Sequence, residues 1–361
     1  MSLFNFFTCC IPSRPPIQEH AVILKMPDVV TKEILKNLDF ASIRKLRKVC
    51  RAFRDFIDCE KPDGNLESIN LKVKADIIFT SFSTPSQSTE DIEFFYKEED
   101  MFNGKNICLM ERGFFCRATF ENNCADLCVD DFLRPALKHQ KSLLDELCVI
   151  KHLEFDENRQ PVPQNPGKFV VPTFEKLFDG LINVLESRDR LLQVESLLIS
   201  VHGQDQLMQL LRHVDLKVLQ CLKVYRLLET EQFWEYGEDN SEFVLDLDIL
   251  KDCENLEILI VRRFSVCSQF RMLTHIPNMK VIMQTIYYED VLRLIQTMEK
   301  SDIYARSEIR FEQFPDKSRF LEAIGLVEDD SVELVHVFPS KLFLAYYPAL
   351  KCMGFKWKHS S

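Results

Sequence analysis

Between Met26 and Ile57 the apolar positions fall at helical spacing. Ile43, Leu46, Cys50, Phe53 and Ile57 recur at alternating steps of three and four residues, which lines one face of a single helix. Ahead of it, Val30, Ile34, Leu35 and Leu38 predict a first short helix. Two amphipathic helices of this size cannot bury both apolar faces alone, so the pair is expected to dock on something. The polar positions of the second helix are Arg44, Lys45, Arg47, Lys48, Arg51 and Arg54, with no acidic residue from Arg44 to Arg54. A greasy face rimmed by cations suits an acidic protein partner.

The rhythm then changes twice. After the turn at Lys61-Pro62-Asp63-Gly64, alternating residues around Ile69, Leu71 and Val73 predict a strand, as do Ile77–Phe79, Ile92–Tyr96, Ile107–Met110 and Phe114–Phe120. Together they predict a small antiparallel sheet. Residues 124–147 read as helical, with Leu127, Phe132, Leu133, Leu137, Leu143, Leu144 and Leu147 as apolar surface. Beyond them short apolar strands (Val149–Phe155, Leu197–Val201, Val218–Val224, Leu256–Val261, Lys280–Met283) alternate with helical segments at Phe174–Leu185, Gln204–Leu211 and Tyr288–Met298. Such alternation predicts successive strands pairing in parallel. L-K-V-L-Q-C-L-K-V and C-E-N-L-E-I-L-I-V look like degenerate leucine-rich repeats. Leu334–Phe338, Leu342–Tyr347 and Phe355–Trp357 predict closing strands.

Composition narrows the chemistry. With 361 residues, 46% hydrophobic and 28% charged, the chain can fold as two or three domains. Its net charge of −11 argues against nucleic-acid backbone binding. The nine glycines include no Gly-x-Gly, which excludes dinucleotide and kinase-type phosphate loops, and no G-x-S-x-G. Thirteen scattered cysteines without C-x-x-C fit free, often buried thiols in a reducing compartment rather than a disulfide framework. Cys124 and Cys128 would share a helix face but lack the second ligand pair that zinc needs. The eight histidines sit in no H-E-x-x-H or H-x-E context. No catalytic residue, metal or cofactor is expected, and the chain is not expected to be an enzyme.

The first residues, MSLFNFFTCCIPSRPP, lack the basic segment and apolar length of a secretory signal or membrane span. Ser2 excludes the myristoylation motif. Cys9 and Cys10 beside Phe4, Phe6 and Phe7 are candidates for S-acylation, against the plainer reading of an unmodified leader.

Several short motifs stand in register near the start: Met26-Pro27, then Ile34, Leu35 and Leu38, then Val49, Cys50 and Phe53. This segment resembles an F-box, the module that binds a Skp-type adaptor of cullin–RING ubiquitin ligases. Phe53 stands where that family usually has Trp, and LRKVCRAFRDFID is similar to the large nematode group. The order helix, L-L-D-E-L-C-V-I, helix, S-L-L-I-S-V, helix and Y-Y-E-D-V-L-R-L-I resembles the FTH domain that follows the F-box there. A Gln-Trp-Lys motif usual in that domain is absent, and Cys253-Glu254-Asn255-Leu256 occupies its place.

The resemblance implies an α+β chain: a helical F-box, a small antiparallel sheet, then an irregular leucine-rich-repeat-like β/α stack. Its expected parts are a flexible leader (1–23), the F-box (24–70), the antiparallel strands (71–122), the FTH-type domain (123–303), and closing strands with a C-terminal cap (304–361). It implies a substrate-recognition subunit of a Skp–cullin–F-box ligase, or an adaptor-binding scaffold or inhibitor that does not promote ubiquitination. Adaptor contacts would come from the apolar set Met26, Pro27, Val30, Ile34, Leu35, Leu38, Ile43, Leu46, Val49 and Phe53, some of which must pack internally while others enter the adaptor's groove. Residues just beyond strands, namely Tyr225, Arg226, Arg262, Arg263, Phe264, Tyr287 and Tyr288, are candidates to hold a protein target. The implied partners are the adaptor, cullin through it, and that target, with neither nucleic acid nor stable membrane insertion, in the cytoplasm or nucleus.

Overall fold

Where the sequence predicts two N-terminal helices, the computed structural model has three: α1 (Asp28–Lys36), α2 (Phe40–Val49) and α3 (Arg51–Glu60). The single helix expected from Ile43 to Ile57 is interrupted at Cys50, whose extended backbone (φ −157°, ψ 166°) closes α2 and opens α3. Neither glycine nor proline marks the break. It lets Ile43 from α2 and Ile57 from α3 meet Leu35 of α1 in one cluster, with Leu38, Leu46 and Phe56 packed against it. Tertiary burial has here overridden a continuous helical pattern.

The structure describes residues 26–74, 76–85, 92–100, 106–112, 116–151, 170–227, 243–301, 306–327 and 333–357. The leader, with Cys9 and Cys10, lies outside them. The chain divides into two units, one of residues 1–69, 76–143 and 175–188, the other of residues 70–75, 144–174 and 189–361. Strand β1 (Ser68–Val73) begins in the first and ends in the second.

In the first unit β2 (Ile77–Ser83), β3 (Ile92–Asp100), β4 (Asn106–Arg112) and β5 (Cys116–Phe120) form an antiparallel meander. Strict alternation builds it: Ile78, Thr80 and Phe82 of β2 are buried while their neighbours are half-buried. Phe82, Phe94 and Phe132 meet with ring centroids about 6 Å apart, and Phe40 of α2 packs edge-on against Phe82 at 5.1 Å.

The helix expected over 124–147 is shorter. α4 (Cys124–Cys128) runs through a π-helical turn at Val129–Leu133 into α5 (Arg134–Leu137) and stops. Leu144 and Leu147 belong instead to β6 (Leu144–Lys151), where Cys148 and Val149 are buried too. A short apolar run buried on both faces has no period that separates strand from helix. α6 (Val170–Glu186) starts in the second unit and ends in the first. There Gly180 lies so close to Val129 that a Cβ would overlap its side chain.

The second unit continues through β7 (Val194–Val201), α7 (Gln204–Leu211), β8 (Cys221–Arg226), β9 (Val244–Leu245), β10 (Ile258–Val266), β11 (Asn278–Thr285), α8 (Tyr288–Lys300) and β12 (Arg306–Gln313). α9 (Lys317–Ala323), β13 (Leu334–Val337), β14 (Leu342–Tyr347) and β15 (Cys352–Trp357) complete it. Strands β6, β7, β8, β10, β11 and β12 pair in parallel in that order, with β9 against the end of β10. β15, β14 and β13 then add antiparallel, so the sheet is mixed and the fold α+β. Neither β12 nor α9 was expected from the sequence. The leucine-rich-repeat likeness remains an expectation from the sequence.

One face of this sheet is sealed. Leu197, Leu222, Leu259 and Met279 stand in register across four strands, all fully buried. α8 turns Val291, Leu294, Ile295 and Met298 inward at helical spacing. Cys50, Cys59, Cys108, Cys124, Cys128, Cys148, Cys221, Cys253, Cys267 and Cys352 are free thiols, seven of them buried, and among the described residues no helix is long and apolar enough to cross a membrane.

Gly180→Ala should destabilise the chain by about 1–2 kcal/mol, because overpacking outweighs the gain in helix propensity. Chemical denaturation would measure this. Combining it with Val129→Ala should recover part of the loss, giving a non-additive double-mutant cycle.

Candidate protein-docking site

The N-terminal helices expose apolar residues that their own core does not use. Leu35, Ile43 and Phe53 are at most 7% exposed and are spent inside the chain. That corrects their expected place in a partner's groove. Val30 and Val49 are exposed at 43% and 67%, Pro27 is exposed, and Met26, Ile34, Leu38 and Leu46 are half-buried. Val29, absent from the expected set, is the most open of these helices' apolar residues at 77%. Its sequence signal was the Val-Val pair: one helical face cannot accommodate both neighbours.

Local chemistry fixes each helix. Pro27 precedes α1, and its carbonyl accepts from the backbone N–H groups of Val30 and Thr31. Asp39 caps α2 by accepting from the Ser42 N–H at 2.6 Å. Arg47 reaches across from α2 to grip both carboxylate oxygens of Asp58 on α3, at 2.7 and 2.9 Å. The Arg47 hydrogen bond holds the Asp58 carboxyl below its ordinary value. Lys32 of α1 pairs with Glu60 of α3 at 2.9 Å. Its hydrogen bond to Glu60 raises the Lys32 pKa.

The expected cationic rim is thus partly neutralised from within. Arg47 is matched by Asp58, and Arg51 by Asp55 at 3.7 Å. Arg44 turns away from any partner: it donates to Asp131 at 2.9 Å and lies over the Phe40 ring. The other Asp131 oxygen accepts from the Tyr96 hydroxyl at 3.0 Å. Burial, with Cys128 and Asp131 beside it, raises the Tyr96 pKa far beyond its ordinary value, so the phenol remains a donor. Sequence spacing shows only that no acid lies among these cations; the acids that meet them come from outside the run.

A polar clamp fixes the exit from α3. The Asp63 carboxylate accepts from the backbone N–H groups of Asn65, Lys141 and Ser142. Buried Gln140 pairs with the backbone N–H and carbonyl of Leu66, and its Oε1 would lie only 2.8 Å from a Cβ on Gly64, closer than such contacts allow. Arg188 donates to the carbonyls of Leu137 and Gln140.

In the second unit the expected target-binding residues are differently placed. Tyr225 and Arg226 are the last residues of β8 and half-buried, with the Arg226 guanidinium 3.1 Å over the Phe243 ring. Arg262, Arg263 and Phe264 lie within β10 rather than beyond it. Between Ile260 and Ser265 the register to β11 shifts, and Arg263 takes a left-handed φ of 63°. The bulge seats Phe264 in the core, fully buried, which removes it as a contact residue. Tyr287 is half exposed ahead of α8, and Tyr288 packs between Arg319 and Phe320. Among the described residues no cluster suits a metal ion.

Comparison with known families identifies both parts. Residues 23–63, spanning α1–α3 and Asp63 of the clamp, match the F-box domain, and residues 175–337 match the FTH domain. The chain carries an F-box domain and, C-terminal to it, an FTH domain. No curated protein and no solved structure matches the chain. The F-box therefore coincides with the three-helix module that carries exposed Val29, Val30 and Val49, and the FTH match runs from within α6 to the end of β13.

Asp58→Asn should lower stability at neutral pH by less than about 1 kcal/mol, since the pair with Arg47 is solvent-screened. A depressed carboxylate stabilises above its unfolded pKa, near 3.8, and that contribution fades as pH falls through its lower folded value. Denaturation curves of parent and variant should therefore differ at neutral pH and converge below pH ~3.

Proposed function

We propose that this chain is the substrate-recognition subunit of a Skp–cullin–F-box ubiquitin ligase. The observation that carries the reading is the F-box match over a helical module whose core is already satisfied, yet which leaves Val29, Val30 and Val49 open. These residues, with Pro27 and the accessible edges of Met26, Ile34, Leu38 and Leu46, would enter the adaptor's groove. Covering what each valine still exposes contributes on the order of 1 kcal/mol before the costs of association. Lys45 and the other cations of α2 and α3 raise the encounter rate with an acidic adaptor more than the final affinity.

The FTH domain would then hold the target, with Tyr225, Arg226, Arg262, Arg263, Tyr287 and Tyr288 as contact candidates. On this reading the chain performs no bond chemistry. Its contribution is proximity: it carries a bound target to a ubiquitin-loaded enzyme and fixes its orientation. Transfer belongs to other subunits, and the chain requires no cofactor. The setting is the cytoplasm or nucleus, where the adaptor's complexes assemble.

Val30→Asp combined with Val49→Asp should weaken adaptor capture by at least about tenfold while leaving the melting temperature unchanged. Leu35→Asp would instead lower the melting temperature, because it places a charge in the module's core. Undiminished capture by the double variant would remove the docking role from this surface. Recovery of cullin with the parent chain, together with target levels that rise on its depletion, would distinguish a ligase subunit from a scaffold or inhibitor.

A further inference from the structure

The FTH-bearing unit has one sealed sheet face and one accessible face, and the accessible one carries charge opposite to the chain's. Register sets Leu198, Lys223, Ile260, Lys280 and Glu308 in a row across β7, β8, β10, β11 and β12. A second row brings Ser200, Tyr225 and Arg262 together, and Ile282 with Arg310. Alternation places these side chains opposite the buried Leu197, Leu222, Leu259 and Met279. Arg262 and Arg310 are exposed, Leu198, Lys223, Tyr225, Ile260, Ile282 and Lys280 are half-buried, and Ser200 at the far end of the second row is buried.

On the described strands of this face, counted over β6–β8, β10–β12 and β15, the cations are Lys223, Arg262, Lys280, Arg306, Arg310 and Lys356. The anions are Glu146, Glu308 and Glu312. Six against three is a local excess of positive charge in a chain whose net charge is −11. The excess has a centre. Glu308 is hydrogen-bonded to Lys280 and lies 3.6 Å from Arg310. Burial works to raise its carboxyl, yet the Lys280 hydrogen bond and the charges of Lys280, Arg310 and Arg262 bring it below its ordinary value. With six cations against three carboxylates on these strands, the face as a whole carries positive charge for a partner to meet.

We propose that this sheet face docks an acidic protein segment, whose carboxylates meet Arg262, Lys280 and Arg310 while its apolar side chains cover Leu198, Tyr225 and Ile260. The inference rests on the reading of the chain as a target-binding subunit and names the surface and chemistry of that target. A nucleic acid fits less well. Glu146, Glu308 and Glu312 would repel a phosphate backbone, and in the two rows Tyr225 is a single half-buried ring rather than the succession of aromatics on which bases stack.

The test uses the full chain and three labelled probes: a short peptide alternating glutamate and leucine, its lysine counterpart, and single-stranded DNA of similar length. Fluorescence anisotropy should show the glutamate peptide binding more weakly as salt rises, and neither other probe binding comparably. Joint Arg262→Glu, Lys280→Glu and Arg310→Glu substitution should reduce its affinity at least about tenfold. Should that variant lose its fold, replacement of the same three by glutamine decides, with a weaker but clear loss expected. No binding, binding indifferent to these changes, or equal binding of DNA overturns the proposal. Adaptor capture is measured on the same preparations. Its survival when the peptide fails condemns the sheet face alone, and its loss when the peptide still binds condemns the ligase reading alone.

Discussion

The F-box helices depend on a foundation they do not contain. Their internal cluster is a handful of aliphatic side chains, far too few to offset the conformational entropy of ordering three helices. Phe40 and Arg44, on the first turns of α2, supply the missing contact. Phe40 adds its ring to the Phe82–Phe94–Phe132 group, and Arg44 completes a carboxylate whose other oxygen is taken by Tyr96. Both Asp131 oxygens are thereby satisfied in a part-buried setting, where removing Arg44 would leave the charge uncompensated and removing the Tyr96 hydroxyl would leave one oxygen without its donor. The π-helical turn at Val129–Leu133 carries Asp131 and Phe132 together, so one irregular turn serves both contacts.

A second constraint acts at the other end of the module. Asp63 and Gln140 replace the backbone partners that an irregular exit would otherwise lack, and Gly64 is small enough to let Gln140 approach. Fixing both entry and exit matters for a docking element. If the helices were loosely hinged, ordering them on a partner would consume part of the binding free energy. Held in place, the module presents Val30 and Val49 already arranged, so an adaptor would meet a preformed surface within the first unit.

Much of this was legible in the sequence. Period-two alternation located β1 to β5, and strand–helix rhythm located β7, β8, β10 and β11 with the helices between them, whereas the first half of β6 read as helix. The failures share a cause: local pattern does not reveal what a segment will be packed against. The steps from Ile43 to Ile57 were those of one helix, and only the demand that Ile43 and Ile57 face Leu35 together breaks it at Cys50. The residues that match the family motif were likewise read as partner contacts, although Leu35, Ile43 and Phe53 hold the module together. Val29 went unnoticed for the converse reason, because it lies off the apolar stripe. β12, with Ile309 and Phe311 set among charges, gave too weak a signal for a strand that turns out to be central to the mixed sheet. Phe264 looked like a loop residue because nothing in the sequence announces a bulge with Arg263 in a left-handed conformation.

Charge explains how one acidic chain could serve two partners differently. The cations of α2 and α3 are largely drawn into pairs made by this chain, with Arg44 used for anchoring and Arg47 for joining helices. Among what remains outward on the F-box are exposed Val29, Val30 and Val49, and covering them would let desolvation supply part of the affinity. On the FTH sheet the balance is reversed. Three cations surround a single carboxylate, and the aliphatic residues between them are too dispersed to form a continuous greasy patch. Such a surface favours rapid, salt-sensitive association and ready release. A chain that keeps one partner while exchanging another would need that asymmetry, and it would follow from where neutralising carboxylates are placed rather than from the number of basic residues.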